Sequence, residues 1–212
     1  MKKIGVFIIA VLLGLLSQIS VSEGALTING DGSWGDFTAE LIWENPKLTI
    51  NITNTSDPIN GGYITAFVYN TPSSINNLSL YETTDLDFNL LFDIDKVKAE
   101  PYGKFDVGAT IGNNFTGGSK PYEGIDIGVT KTFMFTFLGT DLDILDENDF
   151  LTPSLPQGNS GTESFLVRFQ GFNNEESDKV PGVTTTPEPS SVVILGSGLL
   201  GLLIMYRKTI RK

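Results

Sequence analysis

The six residues LTINIT at positions 48–53 decide the fold, because their apolar and polar side chains alternate strictly. Alternation with period two is typical of a β-strand that buries one face and exposes the other. The exposed face of this strand would carry hydroxyl and amide groups. The same alternation appears in residues 132–137 and 165–170. These three runs predict a protein built from half-buried strands.

The residues around these runs favour short strands joined by turns. The chain has 23 glycines, and residues 26–171 contain no apolar stripe of helical spacing as long as ten residues. The fold prediction is therefore all-β, with an antiparallel β-sandwich of jelly-roll or Ig-like type over residues 25–171. The turn sequence DPINGG at 57–62 further predicts that strands 47–53 and 62–69 pair as a hairpin.

Residues 172–186 lose the apolar periodicity and gain charged and hydroxyl-bearing side chains. Such a composition is typical of a linker. We expect this segment to hold the domain away from whatever follows it.

The charge of the chain excludes one class of partner. Residues 25–186 contain 23 acidic and 8 basic residues, so this part carries a formal charge of −15 at neutral pH. Because binding to phosphate backbones depends on Lys and Arg, we expect no nucleic acid partner.

The chain has no Cys and no His. Thiol nucleophiles, Cys or His zinc sites and imidazole-based catalytic triads are therefore excluded. The sequence predicts that the protein is not an enzyme.

The first 24 residues have the three parts of a secretory signal peptide. Lys2 and Lys3 precede an apolar run over residues 4–16, and small residues follow it. A signal peptidase could cut after Ser22 or after Gly24. The alternative is a retained anchor, but 13 apolar residues are short for a hydrocarbon core about 30 Å thick. We expect export by the Sec machinery.

The C-terminus places three features in a fixed order. The motif Pro187, Glu188, Pro189 comes first, an apolar stretch at 190–206 follows, and a basic tail at 207–212 ends the chain. The basic residues of the tail are Arg207, Lys208, Arg211 and Lys212. A helix over 190–206 would be roughly 26 Å long and could just span a membrane. Basic residues favour the cytoplasmic side, so the acidic domain would lie outside.

This C-terminus resembles the PEP-CTERM sorting signal over about 27 residues. In that family an exosortase, an integral membrane enzyme, is thought to recognise the tail and process the protein for the cell surface or extracellular matrix. The resemblance therefore implies an exosortase as partner and an attachment to the inner membrane through the C-terminal helix. The alternative is a plain single-span anchor.

The densest acidic run, DLDILDEND at 141–149, offers the oxygen ligands that Ca²⁺ prefers. Asp141, Asp143 and Asp146 are the candidate ligands. The run lacks the Gly and Glu positions of an EF-hand, which favours a solvated loop over a weak calcium site. No other cofactor is predicted.

Two classes of function remain open. A structural or adhesive component of the envelope, matrix or biofilm needs only an exported, strand-rich domain. The alternative is a module that binds or acts on extracellular polysaccharide, with stacking aromatics as its signal. The candidate aromatics are Trp34, Trp43, Tyr102 and Tyr122. Core packing explains such aromatics equally well, and no pair of carboxylates is singled out as catalytic, so the first class is favoured.

Overall fold

The computed structural model describes residues 25–116, 118, 120–156 and 163–185. The predicted signal peptide at 1–24 and the predicted sorting motif, membrane helix and basic tail at 187–212 lie outside the described residues.

Eleven strands and three short 3₁₀ helices make up the regular structure of the described part. The strands are β1 (Leu26–Asp31), β2 (Asp36–Glu44), β3 (Lys47–Asn54), β4 (Gly61–Tyr69), β5 (Ile75–Thr83), β6 (Asn89–Lys98), β7 (Lys104–Thr110), β8 (Thr130–Gly139), β9 (Phe165–Phe172), β10 (Ser177–Pro181) and β11 (Val183–Thr185). The 3₁₀ helices are Pro121–Glu123, Leu142–Ile144 and Glu147–Leu151.

These strands form two sheets. One sheet has six strands in the order β11-β1-β2-β3-β8-β5, and the other has five in the order β10-β9-β4-β7-β6. All the paired neighbours run antiparallel. The prediction of an all-β fold with antiparallel sheets is confirmed, and the arrangement is consistent with a sandwich.

The alternation that predicted β3 appears in the structure as one buried and one polar face. Leu48, Ile50 and Ile52 are fully buried. On the opposite face, Asn51 donates to the Glu40 carboxylate on β2 (3.0 Å), and its side-chain oxygen accepts from the Thr132 hydroxyl on β8 (2.8 Å). Cross-strand pairs of this kind stabilise neighbouring strands and fix their register.

Aromatic rings join the two sheets face to face. Phe67 on β4 lies with its ring centroid 4.8 Å from that of Phe133 on β8, in an edge-to-face arrangement. Phe37 on β2 contacts Phe165 on β9 at 5.9 Å. Each ring pair crosses from one sheet to the other. Since buried aromatic side chains each remove a large apolar area from water, these contacts form the centre of the core.

The predicted hairpin between residues 47–53 and 62–69 is wrong, because β3 and β4 lie in different sheets. The connection between them crosses from one sheet to the other beside the buried Asn54. The Asn54 amide nitrogen donates to the carbonyl oxygens of Gly62 (3.1 Å) and Ile125 (3.0 Å). Its side-chain oxygen accepts from the backbone N–H (3.2 Å) and the hydroxyl (2.7 Å) of Ser56. The turn residues are those of a hairpin, but these bonds direct the chain across the core.

The predicted linker at 172–186 also differs from the structure over its described part. Residues 177–181 pair with β9 and residues 183–185 pair with β1, so the sheets continue to residue 185 instead of ending at 171. Only Val180 is buried in this segment after Phe172. Both strands are short edge strands held mainly by backbone hydrogen bonds, and their side chains therefore give little periodic signal.

The part of the chain that the structure describes contains no helix long and apolar enough to cross a membrane.

A candidate binding groove on the five-stranded sheet

The edge strand β6 interrupts its pairing with β7 in the middle. Regular pairing ends at Phe92 and resumes at Val97. We call residues 93–96 the β6 bulge. Asp95, inside the bulge, has a positive φ of 60°, which only a few residue types such as Asp adopt readily. The bulge therefore projects its side chains away from the regular ladder.

Asp106 on β7 holds the β6 bulge in place. One of its carboxylate oxygens accepts from the Asp95 backbone N–H (2.6 Å), and the other accepts from the backbone N–H (2.9 Å) and hydroxyl (3.0 Å) of Thr71. The Asp106 side chain is nearly inaccessible, at 4% exposure. A buried carboxylate with three donors is strongly bound, because hydrogen bonds to charged groups are the stronger ones.

We expect Asp106→Asn to lower the free energy of unfolding by about 1.5–3 kcal/mol, since an amide turns a donor toward one of these N–H groups. Urea unfolding measures the loss, and faster amide hydrogen exchange at residues 93–97 locates it. Asp126→Asn is the matched control, because the exposed Asp126 side chain accepts only from the adjacent Ile127 N–H; we expect a change under about 0.5 kcal/mol. Equal effects of the two variants would contradict this role of Asp106.

A groove of about 600 Å³ lies along the β6 bulge. Its apolar lining consists of Leu90, Leu91, Phe92, Val97 and Phe115. Its charged lining consists of Asp93, Lys96, Lys98, Glu100 and Lys179. Strands at the two edges of the sheet, β6 and β10, both contribute lysines. The groove therefore combines an apolar surface with three of the eight basic residues found between positions 25 and 186.

Like charges face each other around this groove. Lys98 pairs with Lys104 across β6 and β7, and Lys179 pairs with Arg168 across β10 and β9. Burial lowers the pKa of Lys179, the Arg168 charge lowers it further, and Glu100 raises it. Burial also lowers the pKa of Arg168. Two lysine or arginine residues directly opposite each other destabilise a sheet, so this arrangement costs stability.

Asp93 and Glu100 line the same groove and offset part of this charge. Lys96 forms an exposed ion pair with Asp93 at 2.8 Å. No salt bridge within the described residues involves Lys98, Arg168 or Lys179, although the Lys179 ammonium donates to the Glu100 carbonyl oxygen. Three lysines against two carboxylates give the groove lining a small excess of positive charge on a strongly acidic domain, and this chemistry suits an anionic ligand with an apolar part.

The candidate calcium ligands are only partly brought together. Asp143 and Asp146 line a shared cavity near Glu44 and Glu147, whereas Asp141 does not line it. Asp146 caps the helix at Glu147–Leu151 by accepting from the Asn148 N–H (2.8 Å). Among the described residues, no three acidic side chains are grouped to hold a metal ion. The calcium site stays a prediction.

The four candidate sugar-stacking aromatics are dispersed. Trp43 is a core residue at 7% exposure, and its ring packs on Phe150 at 5.0 Å. Trp34 and Tyr122 are 42% and 66% exposed, and Tyr102 packs against a second, smaller apolar cluster. None of the four belongs to the groove lining that the structure describes.

Comparison with known protein families matches a short stretch near the end of the chain. Residues 185–208 match the family described as the PEP-CTERM protein-sorting motif. The chain therefore carries a PEP-CTERM sorting motif at its C-terminus. The match includes Pro187, Glu188 and Pro189 with the basic residues Arg207 and Lys208, whereas Arg211 and Lys212 lie beyond it. No curated protein matches the chain, and no solved structure does.

The sequence indicated the sorting motif but not the groove. Lys96, Lys98 and Lys104 form a short basic run inside an acidic domain, and this was the one available signal. Lys179 lies on β10, a segment that was predicted to be linker. It joins the other lysines only because β10 pairs with β9. The motif indicates export and a membrane-associated sorting signal.

Proposed function

We propose that this protein is a structural or adhesive component of the cell surface or extracellular matrix, delivered there by an exosortase, and that it has no catalytic activity. The PEP-CTERM match at residues 185–208 carries the proposal, because this motif implies exosortase processing. The complete absence of His and Cys supports a role without catalysis.

The position of the motif suits release or transfer of an intact domain. The last strand, β11, ends at Thr185, and only Thr186 separates it from Pro187. A cut within or after the motif would leave all eleven strands on one product. The folded domain could therefore change its attachment without losing any part of its core.

The outer face of the six-stranded sheet supports a role in contact with water and matrix polymers. The Thr53 and Thr130 hydroxyls hydrogen bond across β3 and β8 (2.7 Å), and Thr38 donates to Asn29 across β2 and β1 (2.9 Å). The hydroxyl, amide and carboxylate groups keep most of this face hydrated, although Leu80 and Leu138 are about half exposed near its β5 edge.

Fractionation of native cells, with intact mass measurement and identification of the C-terminal peptide, tests the proposal. We expect a surface or matrix protein whose chain ends near Pro189 and whose N-terminus is Glu23 or Ala25. A chain that ends at Lys212 in the inner membrane would mean that the tail is a plain anchor, and the partner should then be sought in the periplasm.

A further inference from the structure

An anionic ligand would relieve the like-charge pairs around the groove, and the same chain carries a segment of matching chemistry. We call residues 141–149 the acidic loop. Ile144 at its tip is 77% exposed, and Asp141 and Asp143 beside it are exposed as well. An apolar side chain flanked by carboxylates complements a groove that has an apolar lining and lysines.

The acidic loop and the groove belong to different regions of the fold. The loop follows β8 of the six-stranded sheet, whereas the groove lies along β6 of the five-stranded sheet. No residue of the loop appears in the groove lining that the structure describes. One copy therefore presents a donor surface and a separate acceptor surface.

We propose that the groove of one molecule binds the acidic loop of a second copy. Ile144 contacts Leu91 and Val97, and the carboxylates of Asp141 and Asp143 face Lys96 and Lys98. Because the two surfaces differ, the contact is heterologous and repeats head to tail into an open assembly. This inference rests on the proposed structural function and names its partner: another molecule of the same protein.

The observations favour a second copy over other anions. Sugar recognition commonly uses exposed aromatic rings, and none of the exposed candidates lines the described groove. Phosphate polymers carry charge but no apolar side chain to contact Leu91 and Val97, whereas Ile144 of the acidic loop supplies one. The net charge of −15 between residues 25 and 186 repels any anionic partner at long range, a second copy included. At physiological salt this repulsion is screened beyond about 8 Å, whereas partly buried contacts are screened much less.

Sedimentation velocity of the full-length chain in a nonionic detergent, over a concentration series at physiological salt, tests the proposal. We expect wild-type protein to self-associate with increasing concentration. The groove variant Lys96→Glu/Lys98→Glu and the loop variant Asp141→Lys/Asp143→Lys should each weaken association about tenfold or more, because close interfacial charge pairs couple strongly. Urea unfolding of each variant verifies that the domain is folded.

Mixing the two variants is the decisive measurement. In the mixture, the acidic groove of the groove variant meets the basic loop of the loop variant. The unchanged groove of the loop variant meets the unchanged acidic loop of the groove variant, as in the wild type. The mixture should therefore assemble although neither variant does alone. Lys47→Glu/Lys120→Glu has the same charge change as the groove variant, outside the groove, and should leave association within about twofold of wild type.

Three results would overturn the proposal. They are wild-type protein that stays monomeric, association that both charge variants leave unchanged, and a mixture that fails to assemble. Binding of an acidic polysaccharide that depends on Lys96 and Lys98, without self-association, would assign the groove to a glycan instead. None of these results bears on sorting, which the C-terminal peptide tests separately.

Discussion

Phe67→Ala is expected to lower the free energy of unfolding by about 3–5 kcal/mol. Phe67 is fully buried, and its ring lies 4.8 Å from Phe133 and 5.9 Å from Phe165 between ring centroids. Truncation removes ring contacts to both sheets and leaves a cavity that the paired strands cannot close. Since whole domains are stable by about 5–15 kcal/mol, this one change removes a large share of the total.

Urea unfolding of the full-length chain in a nonionic detergent measures the effect. Tyr122→Ala is the matched control, because it also truncates an aromatic ring but at a side chain that is mostly exposed; we expect a loss below about 0.5 kcal/mol. Phe67→Leu should fall between the two. If Phe67→Ala cost no more than Tyr122→Ala, the two sheets would not be held together through this ring.

The strands that could be predicted from the sequence are those whose apolar residues recur with period two. Residues 48–53 alternate strictly and lie in β3, and residues 132–137 and 165–170, in β8 and β9, keep the period although Met134 and Leu166 are apolar on the second face. Strand partners could not be predicted in the same way. The turn at 57–62 suggested a local hairpin, but Asn54 bonds to Ile125, far along the chain, and the crossing between sheets depends on that contact.

The edge strands β10 and β11 were missed for a related reason. Val180 alone among their residues is buried, so no alternation could be detected, and the charged and hydroxyl-bearing side chains favoured an interpretation as linker. Long-range backbone pairing with β9 and β1 holds them in place. A local pattern cannot report a strand whose stability comes from the strand beside it.

The groove could not be predicted from the sequence, because the pairing of distant strands brings its charged residues together. Lys98 and Lys179 stand on opposite edges of the five-stranded sheet in its strand order, and both line the one groove. The acidic loop, by contrast, was visible in the sequence. Its carboxylates were considered as calcium ligands, and Asp146 proved to cap a short helix. Composition located the charged segments, but only the fold shows which of them share a surface.

Replacing Pro187 and Pro189 by Ala is expected to abolish processing, so that unprocessed precursor accumulates in the inner membrane. Proline has no backbone N–H and fixes φ, so the two residues favour an extended backbone that a processing enzyme can bind as a strand. Alanine restores the backbone N–H and lifts the restriction on φ, so we expect the motif to leave the extended conformation.

Membrane fractionation and mass spectrometry of the C-terminal peptide read out the change. Pro58→Ala is the control, since it removes an exposed proline from a turn outside the matched motif and should leave processing as in the wild type. Precursor with the Pro187 and Pro189 changes must retain its domain fold, because the strands end at Thr185. Normal processing of that variant would show that the prolines are not recognised, and the tail would then act as an anchor through its apolar and basic parts alone.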